Sequence, residues 1–244
     1  MFEVMTVCTG NICRSPLAEA LLKRDLPADV FTVSSSGIKA VPSGQVPPRQ
    51  VKVGQKLGVS GLEEHIARYT TGELVERADL LLSMSRGHRK HVLRLDPSVA
   101  RRSFTIREFA RLAGAVTPDD VRANLPTCVS PLHAAVEAVA QKRGLLPPPE
   151  SLDDLDVVDP YRQRASVYRK SRDELVPAAE VTAQFLNQVV ELFGTQMQEA
   201  PVIPSPARSI VPELRFPKRS EVHGGSSFGG VIHLPTIEQP REVS

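Results

Sequence analysis

Three short apolar runs constrain this chain more than any other feature. They are FEVMTV (2–7), VFTVSSSG (30–37) and ADLLLSMS (78–85), and each is composed as a strand. The first passes through the polar loop TGNICR into PLAEALL, where Ser15 suits an N-cap and Pro16 the first helical position. Leu17, Ala20, Leu21 and Leu22 give that helix an apolar face. The second is followed by the loop VPSGQVPPR (41–49) and a predicted helix over 50–59 that ends near Gly58. The third is apolar throughout, as in a sheet covered on both faces. It leads into a helical segment (85–95), and RSFTIREFARL (102–112) reads as a short strand and another helix. Strand alternating with helix predicts a parallel α/β sheet. Ligands of such sheets bind beyond the C-terminal strand ends, and Cys8 stands at one.

Residues 114 to 156 break this rhythm. SPLHAAVEAVAQKRG (130–144) reads as a helix capped by Ser130 and closed by Gly144, and LLPPPESLDDLD as a proline- and acid-rich connector. The stretch is expected to be a helical insertion beside the main fold. VPAAEVTAQFLNQVVELFG (176–194) is amphipathic, with Val181, Phe185, Val189 and Leu192 on one face, and should close a domain spanning 1–194. Beyond it the composition changes. Seven of the 21 prolines fall within 201–244, together with HGGSSFGG, so the tail 195–244 is expected to be largely disordered.

Composition narrows the function classes. A net charge of +2 supplies no global field for nucleic acid or an anionic membrane. No apolar run approaches the roughly 20 residues of a membrane span, and no signal peptide is read at the N-terminus. Three cysteines, Cys8, Cys13 and Cys128, make no disulfide framework and fit a cytoplasmic setting. His88 and His91 stand three apart on a predicted helix without further ligands, which reads as a solvated basic face; no metal or other cofactor is expected.

The loop after the first strand has the pattern C-x5-R, Cys8 to Arg14. A loop of that length can turn its backbone N–H groups inward as an anion nest. The helix that follows aims its positive end at the same point. Arg14 can add a bidentate contact to two phosphate oxygens. The same field favours a thiolate at Cys8, an in-line nucleophile toward a bound phosphoryl group. Gly10 permits close backbone approach, and Asn11 tolerates unusual dihedrals. The bland alternative is a core cysteine and a surface arginine.

The stretch VCTGNICRSPLAEALL resembles the signature loop of the low-molecular-weight protein tyrosine phosphatases. The resemblance extends to VSSSG (33–37), HIARYTTGEL (65–74), ADLLLSMSRGHRKHV (78–92) and VVDPY (157–161). It implies a three-layer fold with a four-stranded parallel sheet flanked by helices. It also implies hydrolysis of phosphate monoesters through a cysteinyl-phosphate, without a metal. Carried over, Cys8 is the nucleophile and Arg14 the phosphate clamp. The N–H groups of Thr9, Gly10, Asn11, Ile12, Cys13 and Arg14 complete the cradle. Ser15 bonds the thiolate, and Ser35 and His65 support Asn11. Asp159, which alone would read as an ordinary Asp-Pro turn, becomes the general acid. A carboxyl held against a bound dianion keeps its proton, because a like charge disfavours ionisation. Asp153, Asp154 and Asp156 are left as a solvated acidic connector.

Family members can pair Cys13 with the nucleophile in a protective disulfide, although a small buried residue at the loop base fits Cys13 equally well. The pocket entrance departs from the family pattern. IKAVPSG (38–44) carries no aromatic residue, which leaves Tyr161 as one wall with Arg162 after it. Ile12 matches the tyrosine-type choice, whereas phosphoarginine-selective relatives carry Thr there. The implied partner is a phosphotyrosine protein, a tyrosine kinase among the candidates; no nucleic acid or membrane insertion is expected, and nothing selects an oligomeric state. Two other readings share these residues. An arsenate reductase of the same fold needs two more cysteines, and only Cys128 lies outside the loop. A phosphoprotein-binding module would keep the cradle without turnover.

Overall fold

The structure, a computed structural model, describes residues 1–40 and 43–197. The expectation of a disordered tail falls, past Met197, outside these residues. Four strands form one parallel sheet in the order β2-β1-β3-β4: β1 Phe2–Cys8, β2 Phe31–Gly37, β3 Leu80–Ser83 and β4 Ser103–Thr105. Side chains alternate between its faces. Val4, Cys8, Leu80, Leu82 and Phe104 enter a large core, while Met5, Val7 and Leu81 enter a smaller one on the opposite face.

The larger core is closed by α1 (Arg14–Asp25), α5 (Ile106–Ala113), α7 (Pro131–Gln141) and α8 (Ala165–Met197), with α2 (Pro48–Lys56) and α6 (Pro118–Asn124) at its margin. The smaller is closed by α3 (Gly72–Arg77) and α4 (Arg86–Leu95). The result is the three-layer α/β arrangement with helices on both faces. Residues 114–156 are helical as expected, yet they do more than lie beside the sheet. Leu132, Ala135, Val136 and Val139 of α7 are buried in the larger core.

Two expectations need correction. The first helix begins at Arg14, with Cys13 at the N-cap position and no side-chain cap. Ser15 therefore caps nothing, and its hydroxyl turns inward toward Cys8. The closing helix starts eleven residues earlier than VPAA suggested and runs through Pro177. Pro177 lies on the exposed side of α8, where a missing N–H and a local bend are tolerated. The buried stripe carries the helix across it: Tyr168, Ser171, Leu175, Ala179, Thr182, Leu186, Val189 and Phe193 recur at spacings of three and four. Phe185 and Val189 were placed on the correct side. Val181 and Leu192 were not, because alanines and a threonine take the core-facing positions that a search for large apolar residues passes over.

Among the described residues, no helix is long and apolar enough to cross a membrane. The position of the buried stripe is directly testable. Leu186 is fully buried, so Leu186→Ala should lower the unfolding free energy by about 2–5 kcal/mol. Leu192→Ala, at an exposed position, should stay within about 0.5 kcal/mol of the parent in urea denaturation.

Candidate active site

The site forms where β1 ends. Beyond Cys8 the β1–β2 ladder continues, with Ile38 N donating to Cys8 O (3.0 Å) and Lys39 N to Thr9 O (2.9 Å). The loop then turns over Gly37. A Cβ at that position would lie 2.6 Å from Thr9 O and 2.7 Å from Asn11 N, so only glycine lets β2 pass beneath the loop. Asn11 adopts φ 53°, in the left-handed region, as its residue type suggested.

Asn11 is fully buried and bonded on every side. Its Nδ2 donates to Ser35 Oγ (2.7 Å) and Ser15 Oγ (3.0 Å). Its Oδ1 accepts from Arg68 N (2.9 Å). Its backbone carbonyl lies 2.9 Å from His65 Nε2. A carbonyl only accepts, so His65 carries its proton on Nε2. Burial lowers the His65 pKa, which keeps the ring neutral, although the bond to Asn11 works the other way. Ser35 Oγ in turn donates to Glu19 Oε2 (2.5 Å).

This scaffold delivers two donors to one sulfur. Asn11 N reaches Cys8 Sγ at 3.3 Å and Ser15 Oγ at 2.9 Å. Both favour the sulfur when it carries negative charge. Cys13 is also buried, and its thiol is pushed up to about 12, by burial first and then by the negative charges of Cys8 and Asp159. Cys8 and Cys13 are both free thiols.

The carboxylate arrives from the far end of the chain. Val157 N donates to Met84 O (2.9 Å), just past β3, and so docks VVDPY against the C-terminal edge of the sheet. Arg14 Nη1 donates to Val157 O (3.0 Å), and Arg14 Nη2 to Asp159 Oδ2 (2.6 Å). Arg14 is nearly buried, whereas Asp159 is about half exposed. Arg14 Nε is buried and unpartnered among the described residues. Tyr161 N donates to Asp159 Oδ1 (3.1 Å), and the exposed Tyr161 ring lies under the Arg162 guanidinium. A cavity of about 150 Å³ opens between these parts, lined by Cys8, Thr9, Gly10, Ile12, Cys13, Arg14, Lys39, Asp159 and Tyr161. Among the described residues, no three of His, Cys, Asp or Glu converge as a metal would need.

The sequence-predicted residues thus converge: Cys8 to Ser15 form the loop, Ser35 and His65 brace Asn11, and Asp159 and Tyr161 face it. Some contributors were missed. Lys39 lines the cavity, and Gly37 sits beneath the loop. His88 is a correction, because it is no solvated residue. It is buried at the start of α4, with Nε2 2.8 Å from Thr9 Oγ1 and Nδ1 2.7 Å from Ser85 Oγ. Its pKa is lowered from 6.5 to about 4, by burial first and then by the charge of Arg14. Asp156 is a second correction. It accepts from Arg86 N (2.7 Å) and from the Arg86 guanidinium, tying the connector to α4. Asp153 and Asp154 remain solvated, as expected.

A family model described as low molecular weight phosphotyrosine protein phosphatase matches residues 3–120. The chain is 39% identical over 106 residues to a probable low molecular weight protein-tyrosine-phosphatase of Ralstonia solanacearum, covering 43% of this chain and 71% of that protein. It is 27% identical over 175 residues to a protein-arginine-phosphatase of Bacillus subtilis, covering 71% and 89%. The crystal structure of a low molecular weight protein tyrosine phosphatase from T. tengcongensis aligns with TM-score 0.53 and 25% identity, over 75% of this chain and 99% of that one.

Burial of a neutral His88 makes stability depend on pH. Its pKa falls from 6.5 unfolded to about 4 folded, so the unfolded chain takes up the proton first as pH drops. Relative to His88→Gln, the protein should lose about 2–3 kcal/mol of unfolding free energy between pH 7 and pH 4. Above about pH 7 the two should differ by a constant amount. Urea denaturation across this range checks the effect, and parallel pH profiles would contradict it.

Proposed function

The chain belongs to the low molecular weight phosphotyrosine protein phosphatase family, and on that premise we propose that it hydrolyses phosphotyrosine in proteins through a phosphorylated Cys8. One observation carries the proposal. A buried sulfur receives two hydrogen bonds at the mouth of an inward-turned loop, beside an arginine that also touches the acid. We take residues 1–194 as the phosphatase domain and 114–156 as an insertion within it. The family match ends at residue 120, inside that stretch.

In the proposed reaction, the loop amides and Arg14 bind the phosphoryl oxygens, with the free Arg14 Nε as one of the donors. The phosphoryl group takes over part of the guanidinium that Asp159 now shares. The Cys8 thiolate attacks phosphorus in line. The bond from phosphorus to the tyrosyl oxygen breaks, and Asp159 passes its proton to that oxygen. Asp159, now a carboxylate, takes a proton from water as the water oxygen attacks the phosphocysteine. The sulfur–phosphorus bond breaks, inorganic phosphate forms and the thiolate returns. Ser15 and Asn11 N stabilise the sulfur when it is a nucleophile and again when it leaves. Cys13, held protonated, does not compete for the phosphoryl group.

Ile12 and Tyr161 give the cavity an apolar wall suited to an aromatic ring. Aryl phosphates should therefore be turned over faster than phosphoarginine, measured as kcat/KM on para-nitrophenyl phosphate, a phosphotyrosine peptide and a phosphoarginine peptide. Equal or higher rates on phosphoarginine would contradict the aryl assignment. The chemistry has its own test. Cys8→Ser should abolish turnover of para-nitrophenyl phosphate, and Asp159→Ala should slow it by about 10²–10⁴-fold. Turnover surviving in Cys8→Ser, or a loss below tenfold in Asp159→Ala, would remove that residue from its assigned role.

A further inference from the structure

We propose that the Thr9 side-chain hydroxyl is a substrate-binding donor of its own, aimed at a phosphoryl oxygen by a Ser85–His88 relay. The inference rests on the reading of the loop as a phosphoryl cradle. It extends that reading from the backbone amide of residue 9 to its side chain.

The argument follows the protons. Ser85 Oγ caps α4 by accepting His88 N (3.3 Å), and it lies 2.7 Å from His88 Nδ1. Either atom of that pair can be the donor; the scheme assigns the proton to Ser85 Oγ, which leaves Nδ1 unprotonated. The single proton of the neutral ring is then on Nε2, and it points at Thr9 Oγ1, 2.8 Å away. The charge of Arg14 and the burial of the ring both oppose a second proton on His88. Thr9 Oγ1 also receives Arg14 Nη2, at 3.4 Å. Both lone-pair positions of the hydroxyl are thereby filled by donors. Its own hydrogen is directed away from His88 and Arg14, and Thr9 lines the cavity with Cys8 and Asp159. The acceptor that fits is a non-bridging oxygen of the phosphoryl group held by Arg14. A hydroxyl with both acceptor sites occupied loses little rotational freedom on donating, which makes the contact pre-organised. Thr9 is a binding residue in this scheme. His88 and Ser85 are positioning residues that never touch the substrate.

The test uses five single variants and one double variant of the full chain, assayed at pH 7 with para-nitrophenyl phosphate as substrate and inorganic phosphate as competitor. Thr9→Val, which keeps the shape and removes the donor, should lower kcat/KM and weaken phosphate competition by about 10–100-fold each, the usual value of a hydrogen bond to a charged group. Thr9→Ser should stay within about threefold. His88→Leu should lose most of what Thr9→Val loses, and His88→Gln, whose amide N–H can replace Nε2–H, should recover most of it. The double variant Thr9→Val/His88→Leu should be no worse than Thr9→Val, because the ring acts only through the hydroxyl. Thr9→Val behaving like Thr9→Ser would overturn the donor. Losses that multiply in the double variant would overturn the relay and mark His88 as a packing residue. The cradle itself is separated by Cys8→Ser. If turnover survives there, the cradle reading and this inference fail together. If turnover vanishes there while Thr9→Val is unchanged, only this inference fails.

Discussion

One buried side chain sets the geometry on which the site depends. Asn11 holds the loop in a left-handed turn and bonds four residues in three separate parts of the chain at once: the start of α1, β2, and the segment carrying His65 and Arg68. Each polar atom of its side chain is satisfied, and so is its carbonyl. The bonds to Ser15 and Ser35 are buried and those to His65 and Arg68 partly so, and leaving a buried one unmade is costly. The left-handed conformation also points Asn11 N at the Cys8 sulfur. A residue type suited to positive φ thus also aims a donor at the buried sulfur. Gly37 supplies the complementary constraint by leaving no side chain where the loop must cross β2.

Much of this was legible in the residues. Short apolar runs gave the strands, and their alternation with helices gave a parallel sheet with Cys8 at a C-terminal strand end. C-x5-R and its resemblance to a known loop then brought together Cys8, Arg14, Ser35, His65 and Asp159, although more than 140 residues separate the first from the last. What stayed hidden has physical causes. His88 and His91 look equivalent in sequence. Only the fold shows that the start of α4 abuts the loop after β1, which buries one ring and leaves the other partly exposed. The usable signal was Ser85, an N-cap placed at the end of an apolar strand and three residues before a histidine. Parallel sheets gather such helix starts at one edge, so any polar residue there is a neighbour of Cys8.

The error on α8 has a different cause. A hydrophobic stripe is usually sought through large residues, and this helix buries small ones. Ala179, Thr182 and Ala183 face the core so that a long helix can pack closely against the others. α8 continues past Pro177, because that residue sits on the solvent side of the helix. Of the two roles read for Ser15, a helix cap and a bond to the sulfur, only the second is realised. Its position fitted a cap, but its hydroxyl had a stronger partner in the sulfur below it.

The guanidinium of Arg14 spans a long interval of the chain, from residue 14 to the carbonyl of Val157 and the carboxylate of Asp159. During synthesis Cys8 and Arg14 therefore emerge well before the carboxylate that Arg14 holds. A nascent polypeptide that stops short of residue 157 has the thiol and the arginine but neither that carboxylate nor α8, which closes the larger core. Completion of the site is coupled to the last third of the fold, and the residues between 114 and 156 lie on the path to it.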